Sequence, residues 1–119
     1  WSAKKTWGGT SYSTPVKIAS FADGAVVEHP AIAIRATNEV VVAWADNSDV
    51  LSGYDLYIAG STTFGMDWED PWRPVSTYNN ERYPQLILDP QNQKLFLAWW
   101  DDSAGTGPSG MQFAVEALD

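Results

Sequence analysis

Cysteine is missing from this 119-residue chain, which removes disulfides, thiol nucleophiles and cysteine-based zinc sites. The redox compartment stays open, and secretion is permitted. Histidine occurs once, at His29, so no second histidine within the chain can join it as a metal ligand or general base. Basic residues are scarce, seven against fifteen acidic ones, and the net charge of -8 repels phosphate backbones and anionic lipid headgroups. Neither nucleic acid nor a membrane surface is expected as a partner. The acidic residues are scattered and describe a solvated surface, not an acidic tail. No apolar run approaches the roughly 20 residues that span a bilayer. With Trp1 first, no signal peptide is visible, and the chain reads as processed or excised from something longer. Nucleophile elbow, phosphate loop and dinucleotide fingerprint are all missing, so no cofactor is expected.

What is present is β-structure. With 45% hydrophobic and 18% charged residues the chain has the balance of a folded protein. Its apolar runs are short, β-branched or aromatic, and punctuated by Gly, Pro, Asn and Asp. Strands are predicted at 1–4, 14–19, 31–35, 40–45, 54–59, 72–76, 85–88, 94–100 and 111–116. Tight hairpin turns are expected at Thr37-Asn38 and Pro90 to Gln93, and longer loops at Asn47 to Gly53 and Asp102 to Gly110.

The runs repeat. Val42-Ala-Trp-Ala-Asp46 aligns with Leu97-Ala-Trp-Trp-Asp101 at an offset of 55, and His29-Pro-Ala-Ile-Ala-Ile34 with Tyr83-Pro-Gln-Leu-Ile-Leu88 at 54. Thr14-Pro-Val-Lys17 matches Asp70-Pro-Trp-Arg73 at 56, and Asp55 to Ala59 matches Met111 to Val115 at 56. Lys5 to Tyr12 shadows Ser61 to Trp68, with Gly9 under Gly65 and Tyr12 under Trp68. A strand-only period of this size marks propeller blades or tandem sheets. The division is repeat 1 at about 1–56, repeat 2 at about 57–112 and a closing strand at 113–119. Val40 to Ala45 and Leu95 to Trp100 are apolar at odd and even positions alike, so both strands must be covered on two sides. That favours stacked blades over a sandwich with one wet face per sheet.

With Ser61-Thr-Thr-Phe-Gly-Met-Asp-Trp68 and the following Pro71 in view, the chain resembles the sialidase-type Asp-box (BNR repeat) β-propellers. Their box reads Ser-x-Asp-x-Gly-x-Thr-Trp between the third and fourth strands of a blade. Ser61, Gly65 and Trp68 match, whereas Thr63 and Asp67 stand where Asp and Thr are expected. The resemblance implies an all-β chain of two four-stranded antiparallel blades. These would belong to a six-bladed propeller, either completed by trimerisation, as in lectins built from two-blade chains, or part of a single longer chain.

Activity is less marked. Of the sialidase catalytic set, only Arg82-Tyr83-Pro84 has a counterpart, resembling the Arg-x-Pro motif at the mouth of the funnel; its place in the other repeat holds Glu28-His29-Pro30. In a trimer, three copies of Arg82 and Glu28 would ring the axis and take a polar or anionic ligand; alternatively Arg82 pairs with Glu28 or Glu81 as a structural ion pair. Trp7 and Trp72 are candidate platforms for a pyranose, and Tyr12, Tyr54 and Tyr78 also lie near turns. Trp44, Trp99 and Trp100 read as packing residues. The Asp46-Asn-Ser-Asp49 and Asp101-Asp102 loops offer oxygen ligands, but they lack EF-hand spacing and read as hydrogen-bonded turns. The expected function is non-enzymatic recognition of a glycan or a protein, with Arg82, Glu28, Trp7 and Trp72 as binding residues. The alternative is a sialidase-like glycoside hydrolase, or a fragment of one.

Overall fold

A computed structural model describes residues 1–5, 8–35, 38–49, 53–75, 79–102 and 110–116, with residues 102 and 110–116 described by their backbone. Among the described residues, six strands form two antiparallel three-stranded sheets. The first runs β1 (Val27–Ile34), β2 (Val40–Asp46), β3 (Asp55–Ser61); the second runs β4 (Asn80–Asp89), β5 (Lys94–Asp102), β6 (Gly110–Glu116). The chain is all-β, as its short punctuated runs require.

Among the described residues each sheet has three strands where four were expected. Where a fourth strand was expected at 72–76, Trp72 meets Ile58 through an isolated bridge; the expected strands at 1–4 and 14–19 likewise reduce to one bridge between Ser2 and Val16. Beyond each bridge the pairing slips by one residue, Ser13 N–H and Glu69 N–H taking the carbonyls of Lys4 and Gly60. Past Trp72, Pro74 stands at the next position that would face β3 and has no N–H to donate. Conversely, β1 and β4 begin earlier than their predicted starts at Ala31 and Gln85. The register shifts between Glu28 and Ala31 and again between Arg82 and Gln85, and these bulges carry Pro30 and Pro84 past the ladder without ending the strand.

The repeat holds in three dimensions. Ala31 opposite Ala43 becomes Gln85 opposite Ala98, and Ile32 opposite Val42 becomes Leu86 opposite Leu97, at offsets of 54 and 55. Left-handed backbone recurs at His29 (φ 55°) and Tyr83 (φ 56°), and at Asn38 (φ 73°) and Gln93 (φ 54°). The N-terminal segment repeats the outer edge: the paired Ser2–Val16 hydrogen bonds of 2.8 and 2.7 Å return as Ile58–Trp72 bonds of 2.9 and 3.0 Å, and Ser13 N to Lys4 O returns as Glu69 N to Gly60 O, all at offset 56. One alignment needs correcting. Val42 lies opposite Ala59 and Leu97 opposite Ala114, so the third strands match at 55, not 56, and Met111 is the counterpart of Leu56. A slip of one residue would have put the wrong side chains on each face.

The core lies on both sides of β2, all seven residues of which are buried. Val41, Ala43 and Ala45 turn toward the second sheet, where they meet Leu95, Leu97 and Trp99; Leu56 and Ile58 join them from β3. Val40, Val42 and Trp44 turn the other way, against Ile18, Ala19 and Trp68. Each fully buried Leu or Ile contributes about 1.5–3 kcal/mol. β4 packs across β1, β2 and β3, so the second sheet lies face to face with the first.

The box at Ser61 is a scaffold. Its hydroxyl accepts hydrogen bonds from the N–H of Thr63 (3.3 Å) and of Gly65 (2.8 Å), and Thr63 Oγ1 accepts from Asp67 N–H at 2.8 Å. The Thr63 hydroxyl thus closes the turn, and the backbone of Asp67 is what the turn uses. Gly65 sits at φ 78° with the Trp68 ring 3.3 Å from where a Cβ would stand. Trp68 Nε1 in turn donates to Ser2 Oγ at 3.2 Å, pinning the N-terminal segment to the box.

Candidate functional site

The two bulges converge. Near its start each inner strand carries a charged residue, then a ring-bearing residue in left-handed backbone, then proline: Glu28-His29-Pro30 in β1 and Arg82-Tyr83-Pro84 in β4. Left-handed backbone at a residue other than glycine costs about 1–2 kcal/mol, so surrounding structure must hold it. Because β4 crosses β1, the bulges meet, and the His29 and Tyr83 rings lie 4.2 Å apart at an interplanar angle of 58°.

Glu28 is the hub. Its Oε1 stands 3.3 Å from Arg82 Nε and 3.4 Å from His29 Nδ1. The Arg82 guanidinium lies over the Tyr54 ring, 3.8 Å from its centroid, within cation–π range. Tyr54 is itself clamped to β4: its N–H donates to Asn80 Oδ1 at 3.1 Å, and its carbonyl accepts from Glu81 N–H at 2.8 Å. The preceding Gly53 permits this, since at φ 82° an added Cβ would stand 2.5 Å from Asn80 Oδ1. The resulting patch is polar and partly exposed. Glu28 and Arg82 are about a quarter and a third accessible, and Tyr83 is about half exposed.

Of the four residues singled out from sequence, the fold brings two together, Glu28 and Arg82, as an ion pair across the sheets. Trp72 lies elsewhere. It is partly exposed in a groove with Arg35, Glu39 and Glu69, at the hairpin end of β1. That is about 20 Å along the strand from Glu28. Arg35 and Glu39 close this hairpin with an ion pair at 3.1 Å. Trp7 lies outside the described residues, as does Tyr78.

In the sequence His29 counts only as a histidine without a second one beside it, and Tyr83 only as the middle of the Arg82-Tyr83-Pro84 motif. Their pairing was written in the offset of 54, which puts two ring-bearing residues at one bulge position. Tyr54 beneath Arg82 left no such signal, because it depends on how the sheets stack.

The acidic loops resolve into anchors. Asp46 is buried, accepting from Trp44 Nε1 at 2.9 Å, from Ser48 N–H at 3.0 Å and from the Ser48 hydroxyl. Asp55, opposite it on β3 and also buried, meets Arg73 at 3.3 Å. Burial pulls the Arg73 guanidinium down, but Asp55, Tyr57 and Asp49 outweigh it and hold it above its ordinary value. A carboxylate committed to three local donors, like Asp46, serves its turn. Among the described residues, no group of three or more His, Asp or Glu side chains is arranged to hold a metal ion. Comparison of the chain with protein-family models, curated proteins and solved structures returned no match.

Proposed function

We infer that this chain is a non-enzymatic recognition module for a carbohydrate, built as two blades on a sialidase-like propeller scaffold. The observation that supports it is the convergence of Glu28, His29, Arg82 and Tyr83 from two strained bulges onto one partly exposed patch. Strain of this kind concentrates where side chains must be aimed. A half-exposed Tyr83 offers an apolar face to a pyranose, and carboxylate, imidazole and guanidinium groups around it suit sugar hydroxyls. Equivalent, face-to-face sheets with the Ser61 box after a third strand support the scaffold.

The ion pair refines the ligand. With Glu28 already beside Arg82, the patch carries one charge of each sign, which favours a neutral glycan over an anionic one. Screening neutral and sialylated glycans should give binding to neutral structures that falls at least tenfold in both Tyr83→Ala and Arg82→Ala. Silence across neutral glycans, or binding untouched by both substitutions, contradicts the proposal. Release of a fluorogenic aglycone from an aryl glycoside would contradict its non-enzymatic part.

A further inference from the structure

We propose that the groove between the N-terminal segment and the Ser61 box binds a free medium-chain fatty acid, its alkyl chain lying over Ile32 and Ile34 and its carboxylate meeting Lys4 and Lys5. This is independent of the glycan patch, which lies at the opposite end of β1.

The groove opens on the side of the first sheet that faces away from the second. Its floor is Ile32 and Ile34, which are 62% and 58% exposed, with the buried Val40 beside them. Both walls are fixed. On one side Ser2 exchanges hydrogen bonds with Val16 at 2.8 and 2.7 Å, and its hydroxyl accepts from Trp68 Nε1 at 3.2 Å. On the other, Phe64 donates its N–H to the Asn38 carbonyl at 3.0 Å and stands in left-handed backbone at φ 56°. A bulky residue in that conformation is strained and stays there only because its surroundings hold it. Phe64 and Met66, both about half exposed, thus line an apolar slot that exists without any part of the chain moving.

Volume sets the length of the guest. The groove encloses about 260 Å³. An apolar cavity of about 150 Å³ accommodates the six carbons of benzene, and the same ratio gives about ten carbons here. One alkyl chain fits, and a two-chain lipid does not.

Charge sets the head group. All three arginines of the chain sit within 3.3 Å of a carboxylate, Arg35 at Glu39, Arg73 at Asp55 and Arg82 at Glu28. Lys4 and Lys5 lie over rings instead, their Nζ atoms 5.9 Å from the Phe64 centroid and 5.7 Å from that of Tyr12. Among the described residues neither meets a carboxylate, and both border the groove. Two ammonium groups at the rim of an apolar slot select an anionic head through charge-assisted hydrogen bonds. Around them the net charge of -8 repels anionic bilayers, which makes a free acid in solution the source.

Titration with decanoate, below the concentration at which it forms micelles, tests the site through methyl NMR. Ile32, Ile34 and Met66 should shift together and saturate, while Ile58 and Leu97 between the sheets stay in place. Ile87, 64% exposed on the far face of the second sheet, serves as the control and should not move. Octanoate should bind about fifteenfold more weakly, since each buried methylene is worth roughly fourfold. Decyltrimethylammonium should bind at least about tenfold more weakly than decanoate, and the Lys4→Glu/Lys5→Glu double variant should reverse that order. Both lysines are exposed, and unmoved Ile58 and Leu97 methyls would show that the variant is folded. The comparison of the two amphiphiles on the native chain stands without it. Equal binding of the two, shifts that centre on Ile87, or no saturable shift overturns the proposal. So would Ile32 and Ile34 shifts that follow protein concentration alone, which would assign the face to a second copy.

Discussion

Single residues settle which polar groups are structural. Asp89 closes the β4–β5 hairpin, with its carboxylate accepting from the Asn92 side chain at 2.6 Å and from Gln91 N–H at 2.9 Å. Those bonds, the Asn92 amide first and the Gln91 N–H next, hold its pKa below the ordinary value. A lowered folded pKa contributes stability that is present above the unfolded value of about 3.9 and lost as pH falls through the folded one. Asn92→Ala should therefore raise the Asp89 pKa toward that unfolded value, as read by carboxyl-carbon NMR titration. An unchanged midpoint would mean the side-chain bond contributes nothing. The same scale separates Glu28 from Asp46. Glu28 is shared between two cationic or ionisable partners at an accessible patch, whereas Asp46 is buried among its own turn.

At the scale of elements, burial on two sides of β2 makes the middle strands the least tolerant part of the fold. Leu56, on the neighbouring β3, sits fully buried between the sheets, and Leu56→Ala should cost about 2–5 kcal/mol in urea unfolding. Ile87→Ala, on the open face, should cost less than about 0.5 kcal/mol. Similar losses at the two positions would contradict the assignment of faces. Much of this was legible beforehand. The unbroken apolar runs of β2 and β5 required cover on both faces, and the offsets of 54 and 55 located matching strands to the residue. The outer strands were not legible as bridges, because β-propensity in Thr14 to Ala19 and Trp72 to Ser76 says nothing of the one-residue slips at Ser13 and Glu69 or of the donor that Pro74 lacks. Nor was the third-strand offset of 55. Apolar matching alone set Leu56 beside Gln112, and only backbone pairing shows Leu56 and Met111 as equivalents. At the site, the Glu28–Arg82 pair was foreseeable as one of two alternatives. The Tyr54 platform was not, since it exists only once β4 is laid across the first sheet.

The whole molecule is a stack of like sheets, each offering one face forward and the other back. From that one relation follow the internal core, the meeting of two bulges at Glu28 and Arg82, and the two bare ends. Methyl NOE spectroscopy on the isolated chain tests it most directly. The account predicts cross-peaks from Val41 and Ala43 to Leu95 and Leu97, with Val40 and Val42 contacting Ile18 and Trp68 instead. Cross-peaks from Val40 and Val42 to Leu95 and Leu97, with none from Val41 and Ala43, would contradict it.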